Sequence, residues 1–466
     1  MTGALRQITG QFPLSRAGYG TRRWRSGGTR WSVPAAVWLG PVLIDTFRTD
    51  PRDITKVVAH REYRKHEPHL VSFMARSREF RADPVQLLYL QAEMAREVIH
   101  LQAEQRDYQA KTDAGELEQY RYIAAVCRQL AHGIRQVADG IAWRSLGYDR
   151  GAIHELAWKP QSGHMNLETA LQEIEAAAKH VEETGELVVL NDLTNFLRYG
   201  DFTSIGQGIT IHEVKAGRGS AKSGRAHKQK KRTDEVIEFI ARRERQTNGG
   251  LEKLVRLRAK PRAYLERLPG LISQARESGS AHARLSDCLA VEVFDLKLIA
   301  DAYAAGKVRF HNPFAQSKDS GTSHSLELFD KFTPNMAPYS VFPLSSEDCV
   351  GIMTGSLWLF TYFNKGNFVR CLRRRGLRVR FPSEDELKAA PKWMPGQVAD
   401  HELDNPVVIM GSAHVVLLSL GLLSRMIDEL LDEETFADMI EEQLHTAGGE
   451  KELVYLALED EADLWD

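Results

Sequence analysis

Residues 200–231 read GDFTSIGQGITIHEVKAGRGSAKSGRAHKQKK. Two short runs, Asp201 to Ile205 and Ile209 to Val214, are joined by Gly206-Gln207-Gly208, which predicts a β-hairpin. The first run begins with an acid, and the second leads into a Glu-x-Lys sequence. In an extended chain residues i and i+2 share a face, so we expect the Glu and the Lys to point the same way.

The acids of this hairpin suit a divalent metal ion. We expect Asp201 to approach Glu213 across the strand pair. With the carbonyl of Val214, the two carboxylates would supply the oxygen ligands that Mg²⁺ prefers. The metal would lower the pKa of a bound water, and Lys215 is placed to orient or deprotonate that water or to stabilise developing charge. These residue types suit attack on a phosphodiester.

A basic run follows the hairpin. Between Arg198 and Arg232 there are nine Lys or Arg residues against two acids. This density predicts a grip on backbone phosphates, independent of base sequence and sensitive to salt. A flexible loop leading into a helix with solvated lysines is the alternative. The residues that we expect to contact nucleic acid are Arg225, Lys228, Gln229 and Arg232.

Other interpretations of these motifs are open to comparison. Residues 219–226, GSAKSGRA, approach a phosphate-binding NTPase loop, but Arg and Ala replace its essential Lys and Ser/Thr. Glu-x-Lys alone is weak evidence for attack on a phosphodiester, since the chain has a second copy, Glu386-Leu387-Lys388. That copy follows Ser383 in the pattern of a helix capping box, which explains it structurally. Asp295-Leu296-Lys297 ends an apolar run and competes for the same role. An incidental ion pair on a solvated strand would also explain 213–215.

Bulk composition indicates a globular protein of two or three domains. The chain has 466 residues, 43% hydrophobic and 27% charged, with a net charge of −2. The charge is unevenly spread, because residues 428–466 carry fifteen acids against one Lys. Such a tail could compete for the basic run. Four widely spaced cysteines favour a reducing cytoplasm over a disulfide framework or a zinc site.

The apolar run Val407 to Ile427 is about long enough to span a bilayer. It contains His414, three serines and Arg425, which favour a buried strand and helix instead. We therefore expect no membrane contact. A membrane-associated protein anchored through this run is the less favoured alternative.

Periodicity divides the chain into four parts. Apolar residues recur at helical spacing after Pro84, and Asn166 and Gly185 are expected to begin and end a further helix. The run 288–296, CLAVEVFDL, is expected to add a strand to the hairpin's sheet. The predicted parts are a disordered basic N-terminus (1–32), a helical domain (33–160), an α/β core (161–297) and an α+β domain with an acidic C-terminal tail (298–466).

Residues 165–297 resemble the core of the PD-(D/E)xK nuclease superfamily, which has the restriction-endonuclease-like fold. In that family a helix precedes a hairpin that carries Asp and then Glu-x-Lys, and a second helix follows. Asp201, Glu213 and Lys215 match this motif. The family often adds an acid from the preceding helix, for which Asp192 is the candidate and Glu168 and Glu175 are rivals.

Two further positions bear on the resemblance. Many relatives place a Gln or a basic residue on the following helix near the scissile phosphate, and Gln229 is similar to that element. Gly200 stands where the family often has Pro. The implied fold is an α/β, restriction-endonuclease-like mixed-sheet core with an N-terminal helical domain and a C-terminal α+β domain.

The resemblance implies a Mg²⁺-dependent or Mn²⁺-dependent nuclease that acts on nucleic acid, with DNA favoured, and the family includes many phage-defence proteins. On this interpretation Asp201 and Glu213 bind the metal and Asp192 supports them. A homo-oligomer or a partner protein is expected through the N- or C-terminal domain. The alternative is a catalytically inactive nucleic-acid-binding or assembly protein with the same fold.

Overall fold

A computed structural model describes residues 5–8, 52–113, 119–157, 165–197, 199–214, 224–247, 250–314, 320–322, 336–380, 407–410, 414–418, 420–446 and 452–465. Within these ranges helices combine with small sheets, so the chain is an α/β protein in the broad sense. Leu5–Ile8 forms strand β1. The other residues of the predicted disordered N-terminus lie outside the described ranges.

Helices occupy the next part of the chain, as its periodicity predicts. In helix Pro84–Asp113 (α3), five apolar residues are buried: Leu87, Leu90, Met94, Val98 and Leu101. They form the stripe, repeating every three or four positions, that packs α3 against α4. The bounds are Arg52–Ala59 (α1), Arg61–Glu79 (α2), Pro84–Asp113 (α3), Gln119–Ser145 (α4) and Arg150–Leu156 (α5).

The predicted hairpin is confirmed. Strands Leu187–Leu190 (β2), Phe202–Ile205 (β3) and Ile209–His212 (β4) form a sheet in the order β2-β3-β4, antiparallel throughout its described residues. The register pairs Ile205 with Ile209 next to the turn, and Phe202 with His212 at the far end. That far end carries the candidate acids.

A buried glutamine fixes this sheet to the helices. The side-chain amide of Gln91 on α3 donates to the Val188 carbonyl at 2.7 Å. Its oxygen accepts from the Leu190 amide at 2.9 Å. Gln91 is fully buried and thereby satisfies one N–H and one C=O of β2 that no strand pairs on that side within the described residues.

A second sheet lies farther along the chain. Strands Leu289–Asp295 (β8) and Leu357–Asn364 (β10) form its centre and are buried along their whole lengths, in keeping with their mainly apolar sequences. The sheet order is β7-β8-β10-β9, with antiparallel pairs. Helix Leu167–Thr184 (α6) precedes the hairpin. The elements that follow the hairpin are Gly224–Arg242 (α7), Glu244–Thr247 (β5), Gly250–Leu257 (β6), Leu268–Ser278 (α8), Ser280–Arg284 (β7), Leu289–Asp295 (β8), Leu296–Ala304 (α9), Ser320–Thr322 (β9), Ser346–Thr354 (α10), Leu357–Asn364 (β10) and Lys365–Arg374 (α11).

The prediction that residues 288–296 add a strand to the hairpin's sheet is wrong. The strand exists as β8, but it pairs with β7 and β10 instead of the β2-β3-β4 sheet. Its pairing with β10 crosses the boundary expected at residue 297. The competing motif at its end has a structural role, because Asp295 accepts from the Lys297 amide at 2.8 Å and begins α9. Lys297 forms an ion pair with Glu67.

The described residues between 407 and 427 form strands and a helix, as the sequence pattern predicts. Val407–Met410 (β12) and His414–Leu418 (β13) pair antiparallel, and β12 also pairs with Val379–Arg380 (β11). Strand β1 lies parallel to β13. Leu420–Asp428 forms α12. Among the described helices, none is long and apolar enough to cross a membrane.

The C-terminal segment joins elements that are far away in sequence. Glu452–Leu458 (β14) pairs in parallel with β6, after Glu433–Thr446 (α13). A short 3₁₀ helix, Glu461–Leu464, follows. Here the Glu461 carboxylate accepts from Arg150 on α5 and from Arg425 on α12, each at 2.7 Å. Both arginines also contact Glu429, at 2.7 and 3.1 Å.

These four side chains form a buried ion network. Each is at most 4% exposed. Burial opposes ionisation of Glu461, but Arg150 and Arg425 outweigh it and lower the pKa of this carboxyl. Part of the acidic C-terminal segment is therefore committed to structural contacts, and the same holds for Glu434 and Asp438, which pair with Arg375.

We predict that Glu461→Gln lowers the free energy of unfolding by about 3–5 kcal/mol, because two buried guanidinium groups lose a charged partner. Urea unfolding followed by circular dichroism measures the change. Glu238→Gln is the matched control, since Glu238 pairs with Arg242 at an exposed site and should cost less than about 1 kcal/mol. Equal effects of the two substitutions would contradict a structural role for the network.

Candidate functional site

Helix α6 and the β2-β3-β4 sheet form the frame of the site. Asn166 begins α6, and its side chain accepts from the Glu168 amide at 3.0 Å. Gly185 ends the helix with φ of 69° in the left-handed region, where glycine is favoured. Both predicted ends are confirmed. The chain then enters β2, which places α6 beside the sheet.

Asp201 and Glu213 meet at the end of the hairpin where β3 begins and β4 ends. The Asp201 amide donates to the His212 carbonyl at 2.7 Å. Its carboxylate accepts from the Val214 amide. Asp201 is thus bonded to the residue on each side of Glu213. Val214 contributes its N–H to this contact.

The two carboxylates affect each other's protonation. Partial burial raises the pKa of Asp201, an effect that the Val214 amide opposes and nearby Asp192 reinforces. Partial burial and then the charge of Asp201 raise the pKa of Glu213. Glu213 remains exposed to solvent, whereas Asp201 is half-buried. The pair is an accessible concentration of negative charge.

Glu173 on α6 is a third acid, which sequence reasoning missed. It is 4% exposed. Burial, followed by the charges of Asp192 and Asp201, raises its pKa to about 8. At neutral pH this carboxyl is therefore mostly protonated.

The rival helix acids lie elsewhere. Glu168 and Glu175 are exposed on α6. Glu173 instead lies in the buried stripe of this helix, with Ala170, Ala177 and Val181 as its other members. A carboxylate at a core position of an amphipathic helix is the signal that would have found it.

Asp192 follows β2 in a short 3₁₀ helix, Asn191–Leu193. It is partly exposed. Its backbone carbonyl accepts from Arg135 on α4 at 2.5 Å, which fixes the turn to the helical part of the chain. Asp192 is close enough to raise the pKa of both Glu173 and Asp201. The structure therefore brings three predicted acids and Glu173 into one electrostatic group.

Asn191 organises the turn that carries Asp201. This side chain is fully buried. Its amide donates to the carbonyls of Tyr199 at 2.5 Å and Gly200 at 3.3 Å, and its oxygen accepts from the Thr203 hydroxyl at 2.9 Å. Its backbone N–H donates to the Asp201 carbonyl at 3.0 Å. Asn191 thus fixes both sides of Asp201.

Gly200 has a physical reason for its place before Asp201. Its φ is +65°, which proline cannot adopt. A Cβ atom there would lie 2.5 Å from the His212 carbonyl oxygen and 2.5 Å from the Ile211 methyl carbon. The absence of a side chain lets the backbone of this turn approach β4 closely.

His212 has a structural environment. Its ring stacks on Phe202 with centroids 4.4 Å apart. Its Nε2 is 3.0 Å from the Ser204 hydroxyl. Burial is the largest cause that lowers its pKa, and His180 adds to the effect. These contacts explain this histidine without a catalytic role.

The basic side of the site is described in part. Lys215 lies outside the described residues. Arg225, Lys228 and Gln229 belong to the first turns of α7, and their side chains are likewise outside the described part. Arg232 is hydrogen-bonded to Tyr199, which stands two positions before Asp201. Helix α7 packs beside β4.

The donor set fits a hard divalent cation, since all of its side-chain donors are carboxylate oxygens. Among the described residues, no three His, Cys, Asp or Glu side chains are grouped closely enough to hold a metal ion. Within the described residues these acids are therefore electrostatic neighbours and do not form a preassembled three-ligand site.

We predict that Gly200→Ala lowers the free energy of unfolding by about 2 kcal/mol or more, because a β-carbon both clashes with β4 and strains a left-handed φ. Thermal and urea unfolding measure this effect. Gly208→Ala is the control, since a Cβ at Gly208 meets nothing within 4 Å. A mild effect of Gly200→Ala, equal to the control, would show that the turn relaxes.

The stability of the metal-free protein should fall as pH rises from about 5 to about 8. Glu173 has a higher pKa folded than unfolded, so the folded state binds more protons in this window and loses stability on deprotonation. Unfolding in EDTA at several pH values tests this.

Glu173→Gln should remove on the order of 3–4 kcal/mol of that pH dependence between pH 5 and 8. Glu175→Gln, on the exposed side of the same helix, should leave it unchanged. The same pH dependence in wild type and both variants would rule out Glu173 as its source.

Comparisons with known proteins identify no relative. No family model matches the sequence. No curated protein and no solved structure matches it either. The interpretation of the site therefore depends on its own residues and their geometry.

Proposed function

We propose that this chain is a metal-dependent nuclease that hydrolyses phosphodiester bonds in nucleic acid, with DNA as the favoured substrate. The observation that supports it most is the like-charge group at the end of the hairpin. The Val214 amide holds the Asp201 carboxylate, burial and then the charge of Asp201 raise the pKa of Glu213, and buried Glu173 has a pKa of about 8. Such a group favours a bound cation, which would offset its mutual repulsion.

The order of elements supports the same proposal. Helix α6, the three strands and helix α7 follow one another as the PD-(D/E)xK resemblance implies. Asp201 stands at the start of one strand and Glu213 at the end of the next, which puts both at one end of the hairpin. In this proposal Glu173 on α6 takes the role of the third acid, for which Asp192, Glu168 and Glu175 were the sequence candidates.

Each residue has a chemical task in this proposal. A bound Mg²⁺ or Mn²⁺ would lower the pKa of a water molecule and offset charge on the phosphate. Asp201 and Glu213 would hold it, and the Val214 amide keeps Asp201 in position. Glu173 releases its proton when the cation is present. Lys215 would orient the attacking water or stabilise developing charge, and α7 would contact the phosphates.

A second candidate is a protein that binds nucleic acid without cleaving it. It is favoured by the lack of a three-ligand metal group among the described residues. In this case the carboxylates would be structural, and the basic helix would carry the function. The two candidates make opposite predictions for a divalent cation.

We predict that the purified protein cleaves plasmid or linear DNA only with Mg²⁺ or Mn²⁺. Asp201→Asn, Glu213→Gln and Lys215→Ala should each lower the cleavage rate by about 100-fold or more, because charge stabilisation and water activation depend on them. Glu175→Gln, an exposed change on α6, is the control and should cleave as wild type does.

Binding by fluorescence anisotropy, measured in EDTA, separates the two candidates. A nuclease variant such as Asp201→Asn should still bind DNA. If wild type binds DNA but does not cut it with Mg²⁺ or Mn²⁺, the binding-only candidate replaces the nuclease. If the variants cut as fast as wild type, these residues are not the catalytic site.

A further inference from the structure

Residues 307–314 cross one face of the second sheet in an alternating pattern. Val308 and Phe310 pack against the core. Phe310 contacts Phe294 and Phe360 edge to face, with centroids 5.3 and 5.0 Å apart. The residues that alternate with them, Lys307, Arg309 and His311, are exposed. This alternation is that of an extended chain with one basic edge.

A buried carboxylate orients His311. Glu292 on β8 is fully buried. It accepts from the His311 amide and from His311 Nδ1, each at 2.9 Å, and from the Tyr362 hydroxyl at 2.5 Å. Nε2 of His311 is left on the outer side of a ring that is 54% exposed. When protonated, this ring pairs with Glu292 and presents positive charge at the surface.

His282 extends the same surface. It lies on β7 directly opposite Glu292 and is exposed. Its ring stacks on that of His311, with centroids 4.7 Å apart and planes 9° apart. Two stacked, exposed imidazoles present aromatic faces beside the basic edge. Nucleobases stack on such faces when they are unpaired.

We propose that Lys307, Arg309, His311 and His282, here called the basic strip, form a second contact surface for single-stranded nucleic acid. This rests on the proposed function, for which it names the form of the substrate. Outward side chains of an extended segment recur about every 6.6 Å, a spacing that follows successive phosphates of an extended strand. Lys307 and Arg309 form no ion pair with any described residue, so their charge is available.

The salt dependence of binding tests the basic strip. The probe is a fluorescein-labelled 30-nucleotide single strand, bound to the full chain in EDTA at several NaCl concentrations. Lys307→Ala with Arg309→Ala removes two phosphate contacts, so affinity should fall by about tenfold and the slope of log K against log salt should shrink by about 1.4. Lys260→Ala with Arg267→Ala changes the net charge equally at exposed positions and should leave the slope unchanged.

The stacked histidines give a second measurement. His282→Ala with His311→Ala should weaken binding of the single strand by about fivefold or more and affect a duplex of the same sequence less, because paired bases cannot stack on them. Equal loss on duplex and single strand would overturn the single-strand assignment. An unchanged slope for Lys307→Ala with Arg309→Ala, or the same loss in the Lys260/Arg267 control, would overturn the surface itself.

Cleavage at saturating DNA separates this proposal from the nuclease. The Lys307/Arg309 variant should retain the wild-type rate there, since it lies outside the carboxylate site. If the Lys307/Arg309 variant reduces the salt slope of binding but wild type cleaves no DNA, the basic strip is supported and the nuclease proposal is wrong. A polyglutamate peptide is then added as a competitor. If it competes tightly, and if this competition depends on the basic strip as strongly as DNA binding does, the surface belongs to an acidic protein and the proposal is overturned.

Discussion

The buried ion network of Arg150, Arg425, Glu429 and Glu461 constrains the rest of the structure. It joins a helix before residue 160 to the last turn of the chain, with each charge almost fully removed from water. Buried charges are tolerated only when they are paired, so the elements that carry them cannot separate independently. Parallel pairing of β14 with β6 then places the C-terminal segment beside the elements that follow α7.

The same principle organises the candidate site in the opposite sense. In the ion network each acid meets arginines, and its charge is compensated. At the hairpin, burial and then the charges of neighbouring acids raise the pKa of Glu173 and Asp201. One fold therefore holds a set of acids that arginines compensate and a second set in which acids raise one another's pKa.

Local sequence signals predicted local features well. Capping and turn signals act through immediate neighbours in the sequence, so Asn166, Gly185 and the hairpin glycines could be assigned without knowing the fold. The pairing of β8 with β10 joins segments more than 60 positions apart, which a local pattern cannot specify. Glu173 was missed for a related reason, since its importance arises from burial beside Asp192 and Asp201, which only the packed structure reveals. The roles of Lys215, Arg225, Lys228 and Gln229 stay predictions.

Gln91 has a consequence for how the molecule behaves in a crowded solution. Its side chain occupies the hydrogen-bonding groups of Val188 and Leu190 on the outer edge of β2. Unpaired strand edges are templates on which other chains aggregate. A single buried amide thus blocks edge-to-edge association at this side of the sheet, and it does so without charge or proline. Gln91→Leu would leave the Val188 carbonyl and the Leu190 N–H buried without this partner.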